Sequence, residues 1–345
     1  MTLPPPPENW NINRITTERI QAVAAFGLTD RQARLLVNVM IHAGVFVERQ
    51  YCAFAGIAHG QKTHDFLQKL IERRYATPIP VGPLHRGRLF HVGHKPLYAA
   101  IGQTDNRHRK PTSLGRMVER LMVVDAVLAD QEFTWLGTEQ DKRSYFMRRV
   151  GERVKLAEFP LLRFGDGPTG TVRYFPDKMP IGIQPDRTDH VFLYLVTSPV
   201  PMDFRLFLLR HAEILRALYR WTIRVLFPQP FAKAIPLFQH AARDHLATPL
   251  PPASVEALEW FFGERRSRQE AGSPPRDERF VSASRAFRAP RFQALYRQWL
   301  EEGNPALWAA GSAVLRDALA RDEARIEFVE LTHQYLHLSP LVGVA

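Results

Sequence analysis

Apolar residues recur at helical spacing from Thr29 onward, with Ala33, Leu36, Val37 and Met40 on one face and Gly44 as a stop. Thr29 is a good N-cap, and Asp30 puts an acid at the positive end of the helix dipole. The pattern predicts a second, shorter helix over Val47 to Ala55 and a turn at Ala58-His59-Gly60. It predicts a third helix from Gly60 to Tyr75. That helix buries Phe66, Leu67, Leu70 and Ile71 and turns Lys62, Asp65, Lys69 and Arg73 outward. A short strand follows, then the tip Pro83-Leu84-His85-Arg86-Gly87-Arg88, then a second strand from Leu89 to Ala99. Helices followed by a basic-tipped hairpin are the sequence form of a winged helix, here over Leu28 to Gly102. Residues 1–27 form a proline-rich tail and a lead-in helix.

Gln103 to Ser113 reads as a basic linker, and a long helix follows from Leu114 to Leu128. Short apolar runs at Phe133–Leu136, Leu161–Phe164, Val172–Phe175, Ile181–Ile183 and Val191–Val196 are broken by Gly, Pro and Asp, which is strand patterning. A strong helix over Asp203–Arg220 and a strand over Trp221–Phe227 complete a central α/β domain, residues 114–230. From residue 231 to 345 the pattern is helical, with stretches at Ser254–Phe262, Arg291–Glu301 and Ala306–Tyr335 and a flexible loop over 264–290. The expected class is therefore mixed α+β: a winged helix, a central α/β domain and a helical C-terminal region.

The formal charge of +11 favours a polyanionic partner, most simply double-stranded DNA. On this reading Gln61, Lys62, Thr63, His64, Lys69 and Arg73 of the third helix face bases or phosphates. His85, Arg86 and Arg88 of the wing grip the backbone, as do Arg107, Arg109 and Lys110 of the linker. A protein partner is expected through the α/β or C-terminal region. The single cysteine, Cys52, excludes a disulfide framework and a cysteine-based zinc site, and fits a reducing cytoplasmic setting. No apolar run is long enough to span a bilayer, so no membrane partner is expected.

No complete catalytic motif is present, and neither a cofactor nor a metal site is expected. His333 and His337 stand four apart, but no Glu follows the first. Phe175-Pro176-Asp177-Lys178 offers the first acid of a metal-dependent nuclease. The next strand, His190 to Val196, supplies neither acid nor lysine. Asp166, Asp177, Asp186 and Asp189 then read as strand-end and turn residues.

From Leu28 to Phe227 the order of elements resembles the replication-relaxation family, DNA-binding proteins of bacterial plasmids and mobile elements. The resemblance implies a winged helix joined to a nuclease-like α/β domain, with Pro176-Asp177 matching the family's Pro-Asp. Tyr194, Val196 and Ser198 stand near the positions where that family carries acids. The favoured expectation is non-catalytic DNA binding in replication, maintenance or transcriptional control. The alternatives are a metal-dependent nuclease with an atypical site and a winged-helix adaptor within a protein complex.

Overall fold

A computed structural model describes residues 10–80, 88–165, 170–185, 188–272 and 277–342. The fold is mixed α+β. Helix α1 (Ile12–Ala24) is capped by the Asn11 side chain, and α2 (Asp30–His42) by a reciprocal Thr29–Gln32 capping box. Strand β1 (Val45–Val47), helices α3 (Glu48–Ala55) and α4 (Gln61–Glu72), and strands β2 (Thr77–Ile79) and β3 (Leu89–His91) follow. The strands form an antiparallel sheet in the order β1-β3-β2. The strand expected from Leu89 to Ala99 stops at His91, and α5 (Lys95–Ala100) takes its place. Pro96 lies in the first turn of α5, where its missing N–H costs nothing, and Leu97 and Tyr98 are buried.

Helix α6 (Leu114–Ala129) joins this unit to the rest of the chain. It packs on α2, β1 and α3 and also touches the central sheet. After it come β4 (Thr134–Leu136), α7 (Glu139–Val150), the hairpin β5 (Leu161–Phe164) and β6 (Thr171–Tyr174), β7 (Ile181–Ile183), β8 (Asp189–Leu195), α8 (Met202–Ala217) and β9 (Arg220–Phe227). The main sheet has the order β10-β9-β8-β7-β4, with β10 spanning Ala324–Glu330. Strands β4, β7 and β8 are antiparallel neighbours, while β8, β9 and β10 run parallel. Phe192 and Tyr194 of β8 meet Phe146, Phe204 and Phe207. Val191 and Leu193 pack with Val127 and Trp135. With both faces covered, β8 reads as a continuous apolar run.

Two expectations for the C-terminal region are overturned. The segment 264–290 is not a loop: α10 (Pro252–Ala271) runs through its start and α11 (Glu278–Ala286) through its middle. The arginines that suggested disorder lie over aromatic rings, Arg268 over Phe280 at 4.5 Å and Arg279 over Trp260 at 3.8 Å. With α12 (Pro290–Glu302) and α13 (Pro305–Gly311), these helices enclose a small core around Leu258, Phe262, Tyr296 and Leu307. The expected helix over Ala306–Tyr335 breaks into α13, α14 (Val314–Ala320) and β10. In β10, Ile326 and Phe328 alternate with Arg325 and Glu327, a period of two hidden inside a longer helical pattern. The helix expected over Asp203–Arg220 also ends early, at Ala217, because Arg220 already pairs with Asp189 of β8.

Gly44, just after α2, has φ +72, and a Cβ there would lie 2.3 Å from the backbone oxygen of His108. Left-handed strain and steric overlap act together, so Gly44→Ala is expected to destabilise the fold by at least about 2 kcal/mol. A thermal or urea unfolding curve matching that of the parent protein overturns this account of the α2–His108 contact.

Candidate nucleic-acid interface

Apolar spacing in α4 buries Phe66, Leu67 and Leu70 against α3 and leaves the opposite side of its N-terminal half in solvent. Lys62 and His64 are exposed there, and Gln61 is exposed while holding Asp65 at 2.6 Å. The start of α4 is Gly60, and no side chain caps it. Open N–H groups and positive helix-end potential therefore face the same side as Lys62 and His64. Arg88, at the foot of β3, is exposed. His85 and Arg86 lie outside the described residues.

Thr63 departs from the sequence expectation. Its side chain is fully buried and its hydroxyl lies 3.4 Å from the Cys52 sulfur and 3.5 Å from the Ala58 carbonyl. It joins α3 to α4 and cannot reach a base, because position 63 falls on the same helix face as Phe66 and Leu67. Lys69 and Arg73 are exposed or half-buried but occupied. Lys69 Nζ donates to the Gly27 carbonyl at 3.1 Å, and Arg73 donates to the Phe26 carbonyl at 2.8 Å. Both cap the carboxyl end of the α1–α2 turn, where orphan carbonyls favour cations.

The basic stretch after Gly102 folds against the protein. Arg107–Arg109 form a 3-10 turn capped by Asn106, and His108 is buried beneath the end of α2. His91 donates from Nε2 to the His108 carbonyl at 3.1 Å, which fixes its tautomer because a carbonyl only accepts. Arg109 donates to the Thr104 carbonyl at 3.1 Å, and Lys110 is exposed. Arg107 is exposed by area yet crowded. Lost solvation and nearby Arg120 push its pKa down to about 10, which still leaves it protonated at neutral pH.

The turn holding Arg107 forms one wall of a cleft of about 630 Å³. The N-terminus of α7 forms another wall, and the β5–β6 hairpin and the turn 175–178 form the rest. Its lining includes Arg173, Lys178 and the buried Lys142, none of which the sequence reading proposed for DNA contact. Helix α7 gives little apolar periodicity because Asp141, Lys142, Arg143 and Ser144 are all buried in it. Arg19 of α1 grips Asp141 through both carboxylate oxygens, at 2.9 and 3.1 Å, and so fixes α7 to the N-terminal unit.

Asp177 sits behind that cleft. Arg210 and His211 of α8 each lie 4.0 Å from its carboxylate, and Lys142 raises the local positive potential. Lys142 Nζ donates to the Met179 carbonyl at 2.5 Å. The cavity that Asp177 shares with Lys142, Phe192 and His211 is about 10 Å³, no more than one water's space. Tyr194 and Val196, across from this turn, are buried among aromatic and aliphatic side chains. Among the described residues no group of three or more His, Cys, Asp or Glu side chains is placed to hold a metal ion. No described helix is long and apolar enough to cross a membrane.

Compared with family models, curated proteins and solved structures, the chain gives no match to any.

Burial sets the acid response. It pushes the imidazole of His42 down to about 3, with Lys142 and Arg19 adding to the effect, and that of His211 down to about 4. Each is neutral in the fold and must be charged in the unfolded chain below its ordinary 6.5. This stability is complete above pH 6.5 and is lost as pH falls toward 4. Burial also pushes Lys142 down from 10.5 to about 7, so the unfolded chain binds the extra proton between those values and stability rises with pH there. The urea midpoint is expected to climb from pH 5 to pH 9, with each group adding up to about 1.4 kcal/mol per pH unit inside its window. A midpoint that is flat or falling across pH 5 to 7 contradicts the buried neutral histidines.

Proposed function

We propose that this chain is a non-catalytic DNA-binding protein of the plasmid or mobile-element type. The observation that carries the reading is the placement of α4. The order α2-β1-α3-α4-β2-β3, with strands arranged β1-β3-β2, has the form of a winged helix. Its third helix presents Lys62, His64 and an uncapped N-terminus to solvent, and Arg88 stands at the foot of the wing. The helix enters the major groove, and the wing holds phosphates.

The central sheet supports the second half of the reading. Helix α6, three antiparallel strands, helix α8 and a parallel strand follow the order of a restriction-endonuclease-like core. Metal-assisted phosphodiester hydrolysis needs carboxylates converging on an open pocket. Here Asp177 faces cationic and imidazole side chains in a closed space, and β8 turns buried apolar groups toward it. A fold of this type outlives its chemistry as a scaffold.

Lys62→Ala with Arg88→Ala is expected to weaken duplex binding and flatten its salt dependence by about one unit of slope per lost phosphate contact. Lys69→Ala and Arg73→Ala should instead lower thermal stability, since both side chains brace the α1–α2 turn. Duplex affinity unchanged in the Lys62/Arg88 variant, measured by anisotropy across a salt series, removes the assignment of α4 as the reading helix.

Plasmid, linear and single-stranded DNA incubated with the purified protein and Mg²⁺ or Mn²⁺ are expected to remain intact on a gel. Cleavage that disappears in Asp177→Ala overturns the non-catalytic reading.

A further inference from the structure

The cleft between the 103–109 turn, the start of α7 and the β5–β6 hairpin gathers more positive than acidic side chains, Arg107, Lys142, Arg173 and Lys178 against Asp105 and Glu139. Among the described residues, Arg107 has one polar side-chain contact, with the His108 ring at 3.3 Å. Arg173 is 65% exposed, and its nearest carboxylate, Glu139, is 4.0 Å away. Glu139 already accepts from the Tyr174 backbone N–H at 3.0 Å. Lys178 is exposed and makes no ion pair among the described residues. Besides Glu139, Asp105 is the one acid in the lining. Folded chains pair such charges or keep them apart, and here they converge.

Backbone strain points to the same place. Phe175 and Lys178 both adopt positive φ, +48 and +59. Neither is a residue that favours the left-handed region, so each is strained there. The turn they make directs Asp177 inward to Arg210 and His211 and leaves Lys178 on the cleft side. Strain of this kind persists where surrounding structure holds a side chain in a required position.

The wall opposite Arg107 is partly aromatic. Leu162 pairs with Arg173 and Phe164 with Thr171 across the β5–β6 hairpin, so Leu162, Phe164 and Arg173 share one face. That face lines the cleft. Phe164 is 55% exposed, an apolar ring left in water beside a guanidinium. A cationic groove with an exposed ring on its wall matches the binding of a phosphate with its attached base. The volume of about 630 Å³ suits a small organic ligand.

We infer that this cleft is a nucleotide-binding site: Arg107, Arg173 and Lys178 hold a phosphate, and the base lies against Phe164. The nucleotide is either free or an unpaired residue of a DNA strand. No lining residue belongs to α4 or to the β2–β3 hairpin, so the site does not depend on the winged-helix reading.

Binding of the full chain to a labelled oligothymidylate of about ten nucleotides, to thymidine monophosphate, to inorganic phosphate and to a duplex separates the outcomes. Oligothymidylate is expected to bind. Arg173→Ala with Lys178→Ala should weaken it at least about ten-fold, and Phe164→Ala alone by about ten-fold, the size of one lost stacking contact. Both variants change exposed side chains and should leave duplex binding within about two-fold of the parent, whereas Lys62→Ala should do the reverse. Monophosphate binding as tightly as the oligonucleotide identifies a free nucleotide as the ligand, and much weaker binding identifies an unpaired strand. Inorganic phosphate binding as tightly as either, or equal losses for duplex and oligothymidylate in the cleft variants, overturns the proposal. If Lys62→Ala leaves duplex binding intact while the cleft variants lose oligothymidylate, the α4 reading fails and the cleft stands.

Discussion

A helix that is apolar on nearly every side must be covered on nearly every side, and α6 imposes that constraint on the whole chain. Met117, Val118, Leu121, Met122, Val124, Val127 and Leu128 are all buried along it. One flank takes α2, α3 and β1, and the other takes the central sheet through β8. The largest hydrophobic core therefore draws on residues from Ile12 to Leu341, beside a smaller one among α10 to α13 and one around Val127. The C-terminal segment closes over the same helix. Tyr335 donates to Asp125 of α6 at 2.5 Å, while Arg49 and Gln50 of α3 reach the same carboxylate at 2.6 and 3.0 Å. The orientation of α4 relative to the sheet follows from this shared helix and not from a tether.

Sharing a core forces polar groups inward. His42, His108, Lys142 and Asp141 all lie where the N-terminal unit meets α7. Asp141 is held by Arg19, and Lys142 by a carbonyl and the ring of Phe175, 5.7 Å away. The imidazoles remain uncharged because burial makes protonation costly. Gly137 shows how tight the junction is: a Cβ there would stand 2.3 Å from Ile41 and 2.6 Å from the His42 ring. The cleft opens directly beside this junction, with Ile41, His108, Gly137 and Lys142 in its lining.

The central sheet separates architecture from chemistry. Its strand order needs only apolar strands that leave water, as β8 does along its length and β9 on one face. Phe192, Tyr194 and Val196 spend their side chains on packing. Asp177 instead stands 4.0 Å from the Arg210 guanidinium and from the neutral His211 ring.

Much of the architecture was legible in local pattern. The 3.6-residue spacing of α2, α4, α6 and α8 and the short apolar runs of β4 to β9 follow from which face of each element must leave water. The same spacing marks Thr63 as inward, although its polarity made it look like a contact residue. Helix α7 gave no such signal, because its buried residues are charged and are satisfied only by distant partners such as Arg19. Strand β10 was masked by its helical neighbours, and the arginines of α10 and α11 resembled a solvated loop because the rings they cover, Phe280, Trp260 and Tyr296, lie beyond local spacing along the chain. The net charge of +11 gave no sign of where the positive side chains gather. Sequence by itself determined α2, α4, α6, α8 and the short strands β4 to β9, and that the chain is basic, since these depend on residues a few positions apart. Only the tertiary structure decided that Lys69 and Arg73 brace a turn, that Asp177 is enclosed, and that Arg107, Arg173 and Lys178 meet in one cleft, because those outcomes depend on contacts between residues far apart in the chain.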